Sequence, residues 1–384
     1  MIIENPEVTL DEDAHWFPDK TSKNGGIEWS ITVNAHGDDG RQYWIDTGLL
    51  GYQNLNILLP SAGISQGADM CFMAVRSEPG KLVDQPGSVY KLADFPPVDE
   101  SAMTFQSHPE GSITLDRSDD RVEVALGHNR FICKDDKTWH YSIADKEKGI
   151  AADFVHTGVG FPLWYYDKKE LRAPTPHSLG GGYFWPGIVE GTLTVDGRTV
   201  RIKGKGARQR YYAADYCSEE VGGWHDWTWF HFDELFGCLE EMKRTKYKVM
   251  SLYLLDGERY LPDGRFNVEH HDWAYLHQIG CFIPGRYLIT METEAGTLEI
   301  TADVVGSYCW AVTDVPDAPF AILDWDNLQG SFTYKDGRKK ALTNGRGGTV
   351  IRQWRPYPNI FMTGLAGPRT LQETSATDGE LVNR

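Results

Sequence analysis

Residues 182–234 read GYFWPGIVEGTLTVDGRTVRIKGKGARQRYYAADYCSEEVGGWHDWTWFHFDE. Two segments of alternating apolar and polar residues meet at Asp196-Gly197, a dipeptide suited to the tight turn of a β-hairpin. The stretch closes on Trp224, His225, Asp226, Trp227, Trp229, His231 and Asp233. Read as a strand, the period of two puts Trp224, Asp226, Thr228 and Phe230 on one face. His225, Trp227, Trp229, His231 and Asp233 then take the other. Each face mixes aromatic rings with ionisable groups, unlike a plain core of Leu, Ile and Val. Candidate chemistry starts here.

Outward from this stretch the chain keeps the same short-strand rhythm. Residues 27–34 and 42–50 form an expected hairpin turned at Gly37-Asp38-Asp39-Gly40. Further strands are expected at 69–76, 111–115, 121–126, 129–133, 247–255, 273–283, 286–292, 297–304 and 307–313. Forty glycines and 19 prolines punctuate these runs, which makes the fold class all-β. Helical spacing occurs once, at 232–244, with Asp233 as its cap and apolar residues at 235, 236, 239 and 242. The charged, Pro- and Gly-rich stretch 167–182 is the expected joint. It gives an N-terminal β domain over 1–175, a C-terminal β domain over 183–365 and a polar tail over 366–384. A hairpin signature also occurs twice. Gly191 to Arg198 precedes Gly204-Lys205-Gly206, and Gly330 to Arg338 precedes Gly345-Arg346-Gly347. Either the two hairpins share turn chemistry by convergence, or one β element is duplicated.

Composition narrows the function classes. A net charge of −17 opposes nucleic acid, whose phosphates need a basic face, and also opposes anionic membranes. No run approaches the apolar length of a membrane-spanning helix, and the N-terminus has no leader pattern. Six scattered cysteines without a C-x-x-C pair read as reduced thiols. The expected setting is cytoplasmic. His270-His271-Asp272 invites a metal reading, but adjacent strand residues face opposite ways and no second cluster accompanies them. Neither a metal nor another cofactor is expected, since Gly180-Gly181-Gly182 opens no phosphate loop.

The residues resemble the AttH-like and hydroxyneurosporene synthase (carotenoid 1,2-hydratase) family, which includes kievitone hydratase-type and Diels–Alderase-type enzymes. Glu28-Trp29 matches its early Glu-Trp-Trp run, with Ser30 in the third place. Tyr183 and Pro186, followed by Gly191, Leu193 and Gly197, match its central motif. Asp226 and Trp229 match its Asp-His-x-Trp motif, with Trp227 where the family has His. Trp325, Gly330 and Gly345-Arg346-Gly347 match its closing element, without the terminal Glu. The resemblance implies two lipocalin-like β-barrel or sandwich domains. It also implies hydration, dehydration, cyclisation or pericyclic closure in an apolar cavity, here an aromatic interdomain pocket for a small terpenoid, polyketide or phenolic metabolite.

Adding water to an isolated alkene needs a proton donor of raised pKa and a site that tolerates a cation. A carboxyl among indoles supplies both, through desolvation and through the negative ring faces. Asp226 is the first candidate acid, Glu28 the next, and His225 and His231 are possible relays. Trp29, Tyr183, Trp185, Trp224, Trp227 and Trp229 are the candidate pocket walls. Against this stands a structural reading, in which Asp226 bonds backbone at a strand end and the tryptophans fill a barrel. A non-catalytic carrier of a hydrophobic ligand and a carbohydrate-active β-sandwich remain as other functions.

Overall fold

The computed structural model describes residues 7–14, 25–53, 56–59, 63–66, 68–96, 102–134, 137–164, 179–214, 225–242, 247–276, 281–312 and 320–352. Among the described residues strands dominate, with one short helix, Leu10–Ala14. The chain divides into two compact units. The first comprises Met1–Ile57, Ser61–Glu78 and Pro97–Cys217; the second comprises Leu58–Pro60, Pro79–Pro96 and Ser218–Arg384.

In the first unit an antiparallel sheet runs in the order 103–109, 68–76, 42–53, 25–37, 198–214, 179–195, 150–158, 138–145, 129–133, 122–126 and 114–117. Alternate residues of these strands, among them Ile27, Trp29, Ile31, Ile45, Met73, Val124, Phe154 and Val189, meet in one buried cluster. Distant strands can share that cluster because the sheet curls into a half-barrel. The expected hairpin at 27–34 and 42–50 is present as Gly25–Gly37 and Gln42–Gln53.

The hairpin at Asp196-Gly197 joins two 17-residue strands, Leu179–Val195 and Arg198–Ala214. Its two turn residues have φ of 51° and 68°, the left-handed pair that this turn requires. Arg198–Ala214 pairs with Gly25–Gly37, and Leu179–Val195 with Ile150–Gly158, so the hairpin belongs to the first unit. This differs from the expected start of a second domain at 183. Of the expected joint at 167–182, only 179–182 lie among the described residues, and they are strand. Gly182 is there for close approach: its φ is +121°, and a Cβ would stand 1.8 Å from the Arg210 carbonyl oxygen. Glycine-rich composition marked a tight strand crossing, which reads like a linker.

The second unit's sheet runs in the order 259–261, 247–254, 235–242, 225–231, 346–352, 320–334, 296–312, 286–292 and 265–271. Its core gathers Phe230, Leu239, Leu252, Tyr287, Ile300, Leu323, Trp325 and Ile351. The strands over 81–84, 91–94, 274–276 and 281–283 form a small separate sheet. The repeated hairpin takes the same place in both sheets. Arg198–Ala214 lies between Gly25–Gly37 and Leu179–Val195, just as Arg346–Arg352 lies between His225–His231 and Phe320–Tyr334. Shared topology favours a duplicated element over chance convergence.

The helix expected at 232–244 is absent. Phe232 N–H donates to the Leu235 carbonyl at 2.8 Å, and the chain returns as strand Leu235–Met242. All eight strand residues are buried. A strand covered on both faces loses its apolar–polar alternation, so its apolar positions fit helical spacing equally well. Asp233, the expected cap, instead accepts a hydrogen bond from Asn344 Nδ2.

Candidate functional site

The strand His225–His231 follows the period of two. Asp226 and Phe230 are fully buried on the inward face, where Phe230 joins the core. Trp227, Trp229 and His231 take the opposite face, across from Glu240, Cys238 and Phe236 of the neighbouring strand. Trp229, His231, Phe236 and Glu240 are nevertheless buried. The His231 ring tilts against Phe236 at 5.5 Å, and Phe236 stacks on Tyr253 at 5.1 Å. Trp224 and the side chain of His225 lie outside the described residues.

His231, one of the expected relays, lies on the face of its strand opposite Asp226. Asp226 pairs with His270, whose Nε2 stands 3.2 Å from Oδ1 and 3.0 Å from Oδ2. His270 sits opposite Tyr287 in the register of strands 265–271 and 286–292, and the two rings meet edge-on at 5.0 Å. Trp273 lies 6.0 Å from the imidazole, and Trp325 lies 5.0 Å from the Tyr287 ring. Burial and the nearby Asp226 charge push the Tyr287 hydroxyl well above its ordinary value. The pair is thus sealed inside the second half-barrel. In the sequence His270 attracts notice only as a metal ligand; its contact with Asp226 depends on strand order, which local pattern does not carry. His271 faces solvent and pairs with Glu269 at 3.3 Å. Among the described residues no group of three His, Cys, Asp or Glu could hold a metal.

Glu28 has a different setting. In the strand Gly25–Gly37 its neighbours Ile27 and Trp29 point into the core, so Glu28 and Ser30 share the outward face. Directly across lie Leu50 and Tyr211, and across from Ser30 lie Gly48 and Gln209. Gly48 leaves room for the Phe72 ring, which a Cβ there would meet at 2.9 Å. Glu28 and Tyr211 are partly exposed on this mixed polar and aromatic face, where Ser30, Leu50, Phe72 and Gln209 are buried. The Ser30 hydroxyl donates to Glu28 Oε1 at 2.5 Å. Burial lifts the carboxyl from an ordinary 4.5 to about 7, against the lowering effects of Ser30 and Arg210.

This shift carries a stability consequence. Between about pH 4.5 and 7 the folded protein holds a proton that the unfolded chain has released, so this contribution to stability falls as pH rises through that window. The full shift corresponds to roughly 3 kcal/mol, and partial exposure reduces it to about 2. Glu28→Gln removes the effect. Unfolding free energies at about pH 5 and about pH 8 should therefore differ less in the variant by that amount; equal differences in both proteins would contradict the shift.

Trp29, Tyr183 and Trp185 lie inside the first half-barrel, on the opposite side of the sheet from Glu28. Trp29 stacks under the Arg210 guanidinium at 4.1 Å, while Tyr183 and Trp185 flank Arg208 at 5.2 and 4.8 Å. Both arginines are essentially fully buried. They escape a reading of the sequence because RIKGKGARQRYY looks like an exposed basic strand; the inward parity shared with Ile202 was the available signal.

No protein-family model matches this chain, and no curated protein sequence matches it. Solved structures do. One, from Nitrosomonas europaea and provisionally named AttH, superposes with a TM-score of 0.55 at 13% identity, covering 89% of this chain and 97% of its own. CghA with Sch210972 gives 0.54 at 10% identity, covering 93% and 97%. Kievitone hydratase from Nectria haematococca gives 0.49 at 11% identity, covering 91% and 94%. The β fold implied by the AttH-like resemblance is thus shared with the solved Nitrosomonas europaea protein and with CghA, over nearly the whole chain.

Proposed function

We propose that this protein is an enzyme that adds water to, removes water from, or cyclises a small apolar metabolite by general acid catalysis, with Glu28 as the proton donor. The carrying observation is the Glu28 carboxyl itself, raised to about 7 on a partly open face beside aromatic and apolar side chains. A general acid works best with a pKa near the working pH. In hydration the Glu28 O–H bond breaks as its proton goes to an alkene carbon. Water then bonds to the neighbouring cationic carbon and returns a proton to the carboxylate. Dehydration reverses these steps; in cyclisation a second alkene attacks the cationic carbon, and the new carbocation loses a neighbouring C–H proton to the carboxylate to leave an alkene. Each route conserves electrons, so no redox cofactor is called for.

Asp226 takes second place in this reading. A carboxylate already engaged through both oxygens by a buried imidazole is suited to fixing His270 and less suited to meeting a substrate. The AttH-like resemblance supports the reaction class, and CghA, of the same fold, was solved with Sch210972.

The test is a mass-spectrometric screen of the purified protein against apolar alkenes and allylic or tertiary alcohols. Gain or loss of water, or an isomer of equal mass, is expected for at least one class. Ligands recovered bound but unchanged across the panel would make the protein a carrier and overturn the proposal.

A further inference from the structure

Inside the first half-barrel, next to its apolar core, lies a buried cluster of charged and aromatic side chains that acid chemistry at Glu28 does not use. Arg208 is buried among the rings of Trp139, Tyr183 and Trp185, 4.8 to 5.2 Å from their centroids. The helix Leu10–Ala14 delivers to it the fully buried carboxylate of Asp13. The Tyr183 hydroxyl donates to Asp13 Oδ1, and Arg208 Nη2 stands 3.8 Å from Oδ2. That second distance suits an ion pair and exceeds a hydrogen bond. Arg210 Nε and the Trp29 indole N–H both donate to the Asp13 carbonyl, at 3.3 and 3.1 Å. Just before the helix, Val8 fills a box of Trp164, Tyr183 and Trp185.

The segment therefore presents an apolar group to an aromatic box and a carboxylate to an arginine and a phenol. These are the two ends of an amphiphilic carboxylic acid. We propose that the first half-barrel holds a binding site for a small carboxylic acid with an apolar body, and that Val8 and Asp13 occupy it as an internal stand-in which such an acid displaces. Arg208 meets the Asp13 carboxylate while Arg210 meets its backbone carbonyl, and the loose Arg208 contact leaves a free acid able to approach more closely than the tethered Asp13 does.

The test uses the full chain, with 3-phenylpropionate as the probe and 3-phenylpropanamide as its uncharged control, titrated calorimetrically. Asp13→Asn keeps the side-chain volume and the Tyr183 hydrogen bond but weakens the hold on Arg208. It should bind the acid at least roughly tenfold more tightly than the wild type, since the site no longer has to expel a charged occupant. The amide should bind neither protein, and adding Arg208→Gln to Asp13→Asn should abolish the gain. Equal behaviour of wild type and variant, or an amide that binds as well as the acid, overturns the proposal. Should Asp13→Asn fail to fold, its refolding yield is compared with acid and with amide. The acid is expected to restore it selectively, and equal yields overturn the proposal.

Discussion

Glu28→Gln is expected to lose on the order of 10²–10⁴ in turnover on the substrate class found by screening, the usual scale for removing a general acid. Glutamine keeps the length of the side chain and can still accept from the Ser30 hydroxyl, so the local hydrogen bond survives. What it lacks is the transferable proton. Folding should not suffer. A carboxyl lifted to about 7 is a group the folded state would sooner keep neutral, so at pH 7 and above the neutral glutamine should be tolerated as well as the native residue or better. Melting temperature and turnover measured on one preparation separate catalysis from stability. A variant with near wild-type turnover removes Glu28 from the role of acid.

The second large effect falls on stability. Asp226→Ala takes away the acceptor for an imidazole N–H that is 3% exposed and enclosed by Tyr287 and Trp273. Leaving a buried imidazole N–H without its carboxylate acceptor costs about 3 kcal/mol. In a unit of this size that lowers Tm on the order of 10 °C. Asp226→Asn retains a carbonyl oxygen for His270 and should lose far less. In both variants turnover per folded molecule should stay within about threefold of the wild type, the mark of a group that is not part of the proton transfer. The opposite pattern, an Asp226→Asn protein with normal Tm and turnover down by on the order of 10² or more, would transfer the acid role to Asp226.

Much of the fold was legible because strands that alternate apolar and polar residues advertise themselves. Ile27, Trp29, Ile31 and Val33 alternate with Glu28, Ser30 and Thr32, and Asp196-Gly197 announces its own turn. Legibility failed where burial on both faces erased the alternation, as at Leu235–Met242, and where glycine served close packing, as at Gly182. Of the candidate site, the strand faces were legible. Asp226, Trp227, Trp229 and Glu28 were all singled out, and the period of two sorted the first three correctly. Their partners were not legible. Asp226 meets His270, 44 positions away, and Arg208 meets Asp13, 195 positions away. Such pairings follow from strand order around a curled sheet and from where one short helix packs, and neither is a local property of sequence.

The central claim, that Glu28 donates the proton, is met most directly by the pH dependence of kcat/KM for the wild-type enzyme, which reports groups of the free protein. An acid with a pKa of about 7 predicts a plateau at lower pH, then a fall approaching tenfold per pH unit above about 7 as the carboxyl ionises. Residual activity of Glu28→Gln should show no such fall. A wild-type profile that stays flat or rises through that range would contradict the account.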